Sequence, residues 1–213
     1  MTPILRPAIR ADLDALVELE EVSFDSDWFS RRQLSHLILR AHARTLVIIQ
    51  PDDDVIPSAP AVDDVMAALW PAGSVERDDA TPLRSVLGYG TVLFRRNSRR
   101  ARLYSFCLHP ESRGRGLAQR MLTSLEQLVI AQGCTQFDLE VHTGNGAAIA
   151  LYERHGFEKC GRLRDYYADG AAAWKMRKAL TLDSPAPVAE ELAAGEAGEA
   201  HPGPPSTVNA GAA

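Results

Sequence analysis

Three short stretches of this 213-residue sequence set reactive groups at spacings that could do chemistry. The first is Arg113-Gly114-Arg115-Gly116-Leu117-Ala118. An apolar, strand-like run, Leu103-Tyr104-Ser105-Phe106-Cys107-Leu108, leads into it through His109-Pro110. Beyond it Leu117, Met121, Leu122, Leu125, Leu128 and Val129 recur at helical spacing. Glycines at a strand-to-helix junction permit a tight turn and leave the first helical amides bare. Those N–H groups lie at the positive end of the helix dipole and can cradle an anion, with Arg113 and Arg115 adding fixed charge. A phosphate suits the cradle, most naturally the pyrophosphate of a nucleotide-derived cofactor. A Gly-x-Gly turn also occurs where only geometry is served, so the turn alone leaves both readings open.

The second stretch is Phe137-Asp138-Leu139-Glu140-Val141-His142. Period-two alternation puts Phe137, Leu139 and Val141 on one face and Asp138, Glu140 and His142 on the other. A strand covered by helices on both sides buries both faces. A titratable row therefore means either an exposed sheet face or a face that borders a cleft. Glu140, at the strand's centre, is the candidate general base, and His142 a weaker one. The third stretch runs from Asn145 to Phe157, with Asn145 suited to an N-cap and Gly156 to the left-handed position past a helix end. Tyr152 on that helix either packs in the core or reaches the cleft, where its hydroxyl could protonate a leaving group.

The elements that must position these groups are legible around them. Ile4–Ile9 reads as a strand and Asp12–Val22 as a helix. Ser30-Arg31-Arg32-Gln33 is a capping box that opens a helix through Arg40. Thr45–Gln50 reads as a strand, and Val86–Phe94 with Arg102–His109 as a hairpin around an arginine-rich tip, Arg95–Arg100. The helix after the glycine turn ends near Gly133, and Phe137–His142 is a strand. Ala147–Arg154 is a short helix, Phe157–Leu163 a strand, and Ala172–Leu180 closes the sheet. This order implies an α/β fold, a mixed sheet with helices on both faces.

Composition narrows the function classes. Residues 51–84 carry eight acids and two arginines, and residues 183–213 five acids with no Lys or Arg. These segments contribute −6 and −5 to a net charge of −5, which leaves +6 on the rest of the chain. A basic core suits a polyanionic cofactor. No aromatic-interleaved basic stripe argues for nucleic acid. No run approaches the roughly 20 apolar residues of a membrane helix, and no apolar signal core follows the N-terminus. Cys107, Cys134 and Cys160 lack metal spacing and read as free thiols in a reducing cytoplasm. The expected organisation is one domain over 1–182 with an acidic inserted loop at 51–84, where Met66–Trp70 could dock, and a disordered Ala/Gly/Pro-rich tail over 183–213.

Taken together, Arg113-x-x-Gly116-x-Ala118 and Asn145…Ala150-Leu151-Tyr152…Gly156-Phe157 resemble the GNAT superfamily of N-acetyltransferases. Leu139-Glu140-Val141, followed by Asn145 and Ala148-Ile149-Ala150-Leu151-Tyr152-Glu153, is similar to its RimI-like branch, which acetylates the N-terminal alanine of a ribosomal protein. Leu19-Glu20…Trp28 and Asp165-Tyr166-Tyr167 are fainter echoes of that branch. The resemblance implies a largely antiparallel mixed sheet of about seven strands, splayed between the fourth and fifth. It implies acetyl-CoA as cosubstrate, no metal, and a monomer or weak dimer in the cytoplasm. By the same resemblance Arg113, Gly114, Arg115, Gly116, Leu117 and Ala118 would hold the pyrophosphate. Phe106, Cys107 and Leu108 would pair with the pantetheine chain as with an added strand, and Asn145 would touch the cofactor. Glu140 would be the general base, Tyr152 the general acid, and Tyr166 and Tyr167 would line the acceptor entrance. His142 stands where that branch commonly has arginine, and Ser105 where it often has asparagine.

The chemistry so implied is direct attack of a neutral amine on an acetyl thioester. An α-amine, with a pKa near ~8, is partly neutral around pH 7.5, whereas a lysine near ~10.4 must give up its proton at a cost on the order of 4 kcal/mol. This favours a protein or peptide N-terminus as acceptor. A lysine side chain or a small-molecule amine is the alternative on the same scaffold, and a non-catalytic acetyl-CoA sensor the alternative of another class.

Overall fold

The computed structural model describes residues 2–24, 28–39, 42–51 and 86–181. The inserted segment beyond Pro51, with Met66–Trp70, and the tail over 183–213 lie outside the described residues. The strands are β1 (Ile4–Pro7), β2 (Ala43–Ile49), β3 (Val86–Phe94), β4 (Arg100–Leu108), β5 (Gln136–His142), β6 (Glu158–Leu163) and β7 (Ala173–Ala179). The helices are α1 (Leu13–Ser23), α2 (Arg31–Leu39), α3 (Leu117–Ala131) and α4 (Gly146–Arg154).

Local chemistry sets the helix ends. Ahead of α2, Ser30 N and Ser30 Oγ donate to Gln33 Oε1 at 2.9 and 2.6 Å, so the expected capping box forms. Asn145 Oδ1 accepts from Ala148 N at 3.0 Å and caps α4. Past α3 and α4, Gly133 and Gly156 take φ of 71° and 83°, the left-handed turn that stops each helix.

One seven-stranded sheet has the order β1-β2-β3-β4-β5-β7-β6. Every neighbouring pair is antiparallel except β4 with β5, which is parallel. The final strand therefore does not close the sheet as the sequence order suggested. It inserts between β5 and β6 and leaves β6 on the edge. The reason is burial: β6 is exposed at five of its six positions, whereas β7 buries Ala173 and Met176 completely.

The parallel pair governs the site. β4 meets β5 only from Arg100↔Gln136 to Leu103↔Leu139, and then the two strands separate. At that point the β3–β4 register slips, with Thr91 opposite Ser105 and Val92 opposite Leu103, so Tyr104 is an extra residue in β4. A bulge of this kind bends its strand and increases the local twist. The expected splay between the fourth and fifth strands thus begins at Tyr104.

Two apolar cores pack against the sheet, one on each face. Leu103, Phe106 and Leu108 of β4 join Phe137, Leu139 and Val141 of β5 beneath α3 and α4. Tyr104 and Cys107 join α1 and α2 on the opposite face. The face of β5 that bears Asp138, Glu140 and His142 is therefore the α1–α2 face. Phe137 is fully buried and its ring lies 5.4 Å from that of Phe157. Phe137→Ala is expected to lower unfolding free energy by ~3–5 kcal/mol in urea denaturation, through lost transfer energy and the cavity left behind.

Candidate active site

The site is built on the gap that opens where β4 and β5 part. His109 N donates to Leu87 O at 2.9 Å, which turns the main-chain groups of residue 109 toward β3. Strand alternation then gives Cys107 the same side, opposite Tyr89, and turns the amides and carbonyls of Phe106 and Leu108 toward the gap. Of the three residues expected to pair with an extended guest, Phe106 and Leu108 have the suitable aspect. Cys107 belongs to the β3 ladder, and burial pushes its thiol up to about 12. A thiol so firmly protonated is unsuited to nucleophilic work at neutral pH.

On the α1–α2 side of the gap stands Glu140, whose side chain is 10% exposed. Its Oε2 accepts from Arg102 Nε at 2.7 Å, and Arg102 Nη2 donates to the Tyr166 hydroxyl at 2.7 Å. Burial works against the Arg102 charge, but Glu140 and Tyr166 outweigh it and hold the guanidinium more firmly protonated than usual. The sequence reading missed Arg102. It lies opposite Asp138 in the parallel register, a diagonal neighbour of Glu140 that becomes visible only once the strands are paired. The remaining members of the titratable row have partners of their own. Arg177 Nε donates to Asp138 Oδ1 at 2.8 Å, and His142 Nδ1 accepts from Gly144 N at 2.9 Å.

On the opposite face, Tyr152 of α4 is completely buried in the core beneath α3 and α4. Its ring meets Phe106 of β4 and Phe157 edge-on, at 6.5 and 5.8 Å. Its hydroxyl is buried and finds no hydrogen-bond partner among the described residues. Burial first, then Tyr167, raises its pKa well above the ordinary tyrosine value, so it is a proton donor throughout the neutral range. Tyr166 and Tyr167 link the two sides. Their rings meet edge-on at 5.2 Å, Tyr166 bonds Arg102, and the Tyr167 ring lies 5.2 Å from that of His142.

The glycine turn lies just past the end of β4. Gly114 and Gly116 take φ of 72° and 73°, and Gly116 is the N-cap of α3 without a side-chain cap. Among the described residues no acceptor meets the amides of Gly114 to Ala118. A Cβ built on either glycine would find no atom within 4 Å, so open space fronts the turn. Arg113 Nη2 makes a long contact of 3.5 Å to Leu108 O, and its buried Nε has no partner among the described residues. Leu117 is buried and anchors α3, whereas Arg115 faces solvent. Bare amides, arginine charge and free space are what a diphosphate group needs, and the exposed main chain of Phe106 and Leu108 is what a pantetheine amide chain needs. The residues fit coenzyme A. Asn145 is occupied in part by its cap to Ala148. Among the described residues no group of three or more His, Cys, Asp or Glu could hold a metal ion.

Residues 60–157 match the model of the family described as the Acetyltransferase (GNAT) family. Residues 60–157 thus carry the sequence pattern of a GNAT acetyltransferase domain. Solved structures agree in fold. The Escherichia coli ribosomal-protein-S18-alanine N-acetyltransferase is 18% identical, with a TM-score of 0.63 over 86% of this chain and 97% of that one. A chain of the NatC complex bound to Gag peptide and CoA is 18% identical, with a TM-score of 0.61 over 85% and 100%. Nourseothricin acetyltransferase is 19% identical, with a TM-score of 0.59 over 85% and 100%. The parallel β4–β5 pair and the turn at Gly114–Gly116 fall within the matched part of this GNAT domain.

The orphan hydroxyl of Tyr152 has a consequence for stability. A buried donor without an acceptor is a liability of ~1–3 kcal/mol, so its removal relieves the fold. Tyr152→Phe is expected to leave the melting temperature unchanged or raised in a thermal unfolding scan.

Proposed function

We propose that this GNAT domain transfers the acetyl group of acetyl-CoA to a primary amine, and that its acceptor is the N-terminal α-amine of a protein or peptide. The observation that supports the reading is that Glu140 lies on one face of the sheet and Tyr152 in the core on the other, while the main chain of Phe106 and Leu108 turns toward the gap between β4 and β5. A thioester seated in that gap would have a carboxylate on its acceptor side and an un-ionised phenol on its other side.

Each residue then has one task. Phe106 and Leu108 bind the pantetheine chain through their main-chain groups, and the amides of Gly114 to Ala118 with Arg113 bind the pyrophosphate. The Leu108 N–H polarises the acetyl carbonyl in the manner of an oxyanion hole. As the amine nitrogen bonds to the carbonyl carbon, Glu140 takes the amine proton through a water. As the carbon–sulfur bond breaks, Tyr152 gives its proton to the sulfur. Arg102 holds the Glu140 carboxylate, and Tyr166 braces Arg102.

Two considerations favour an α-amine. It needs far less work from a single water-relayed carboxylate than a lysine does. The Arg102 charge beside Glu140 also opposes an ammonium in the site, which penalises an amine that clings to its proton. The likeness in fold to the E. coli ribosomal-protein-S18-alanine N-acetyltransferase supports the same reading, as does the RimI-like run around Glu140 and Tyr152. The likeness to nourseothricin acetyltransferase supports a small-molecule amine as the second reading.

Thiol release from acetyl-CoA with paired peptides separates these readings. A peptide with a free α-amine is expected to turn over, and the same peptide blocked at its N-terminus but carrying an internal lysine is expected to be silent. Equal rates for the two would exclude an N-terminal acceptor. Glu140→Gln and Tyr152→Phe are each expected to lower kcat by roughly 10²–10⁴-fold, as loss of an acid–base group does. CoA affinity, measured by calorimetry, is expected to hold in both, and unchanged kcat in either variant would remove that residue from the mechanism.

A further inference from the structure

Two adjoining cavities on the α1–α2 face bear on which N-termini the site takes, an inference that rests on the N-terminal reading above. The inner cavity, about 330 Å³, is lined by Phe29, Arg32, Gln33, His36, Leu37 and Tyr104. The outer one, about 580 Å³, is lined by Arg10, Leu13, Arg31 and Arg32 among others. Arg32 lines both, and the two cavities flank it beside the first half of α2.

The inner cavity adjoins the reacting centre through a single residue. The Tyr104 ring stacks on Phe29 at 5.5 Å, and the Arg102 guanidinium lies 5.7 Å from the centre of the same ring. Arg102 in turn bonds Glu140. A peptide whose amine met Glu140 would therefore have this cavity close by, on the far side of Tyr104. The apolar wall there is firmly held. Glu20, fully buried, accepts from Phe29 N at 2.6 Å and from the Tyr89 hydroxyl at 2.6 Å, which ties Phe29 to the sheet.

Among the described residues the outer cavity is lined by basic side chains, against the usual rule for helices. The first turn of a helix favours acids, because its free amides are already positive. The first turn of α2 has none and carries Arg31 and Arg32 instead. Asp14 pairs with Arg31, and both side chains are exposed. Arg10 and Arg32 have no carboxylate partner among the described residues. Arg32, without the carboxylate partner that Arg31 has, is unfavourable beside the helix dipole, and an anionic guest would offset it.

We propose that the preferred acceptors are N-termini with an Asp or Glu among residues two to four, the carboxylate lying on Arg32 and Arg10 while the residue before it fills the Phe29–Tyr104 cavity. An extended chain advances at most ~3.3–3.6 Å per residue, so only the first few residues of an acceptor lie near the site. The test is kcat/KM of the full-length protein for peptides alike except for Glu, Gln or Lys at positions two to four. At low salt the Glu peptide is expected to exceed the Gln peptide about three- to tenfold and the Lys peptide by more, with the preference shrinking as salt rises. Arg32→Glu is expected to reverse the order of the Glu and Lys peptides. Arg32→Gln is expected only to flatten it, and circular dichroism reports whether each variant folds. Turnover of all three peptides at equal rates, or fastest with Lys, overturns this inference and leaves the N-terminal reading intact. Silence with every free-α-amine peptide, while another amine is acetylated, overturns that reading instead.

Discussion

The architecture around the site depends on one interruption of hydrogen bonding. β4 and β5 pair parallel over four residues and then part after Leu103 and Leu139. A parallel pair inside a sheet normally continues, because an unpaired buried amide is expensive. Here the extra residue at Tyr104 bends β4 away from its neighbour. Everything attributed to the site follows from that parting. It turns the main chain of Phe106 and Leu108 toward the gap, with Glu140 on one face of the sheet and Tyr152 in the core on the other. Tyr104, at the bulge, packs toward α1 and α2 and lines the cavity beside Phe29.

Glu140 and Tyr152 are held in contrasting ways. Glu140 is partly buried and its Oε2 accepts from Arg102. Tyr152 is wholly buried, its hydroxyl has no partner among the described residues, and burial holds it as a phenol. The buried Glu20–Tyr89–Ser105 chain, with the Tyr89 hydroxyl 2.7 Å from Ser105 Oγ, pins the segment entering α2 to the sheet through the Phe29 amide.

Local patterns carried much of this from the sequence, and non-local pairing carried the rest. The alternation from Phe137 to His142, the Ser30–Gln33 capping box and the positive-φ glycines at Gly114 and Gly116 each depend on neighbours in the chain. Each appears in the structure where the sequence put it. The insertion of β7 between β5 and β6 depends on which edge buries more, a property of the assembled sheet. The Arg102–Glu140 pair joins residues 38 apart across a parallel register that no local spacing encodes. Tyr104 reads in the sequence as one more apolar strand residue. Its role as a bulge emerges only against the register of β3.

The most direct measurement is a structure of the full chain with CoA bound. The account predicts that the pantetheine chain lies between the parted halves of β4 and β5, with hydrogen bonds to the main chain of Phe106 and Leu108. It predicts the sulfur within hydrogen-bond reach of the Tyr152 hydroxyl, with Glu140 across the gap on the acceptor side. A cofactor seated elsewhere, or a sulfur remote from Tyr152 with the gap left closed, would contradict it.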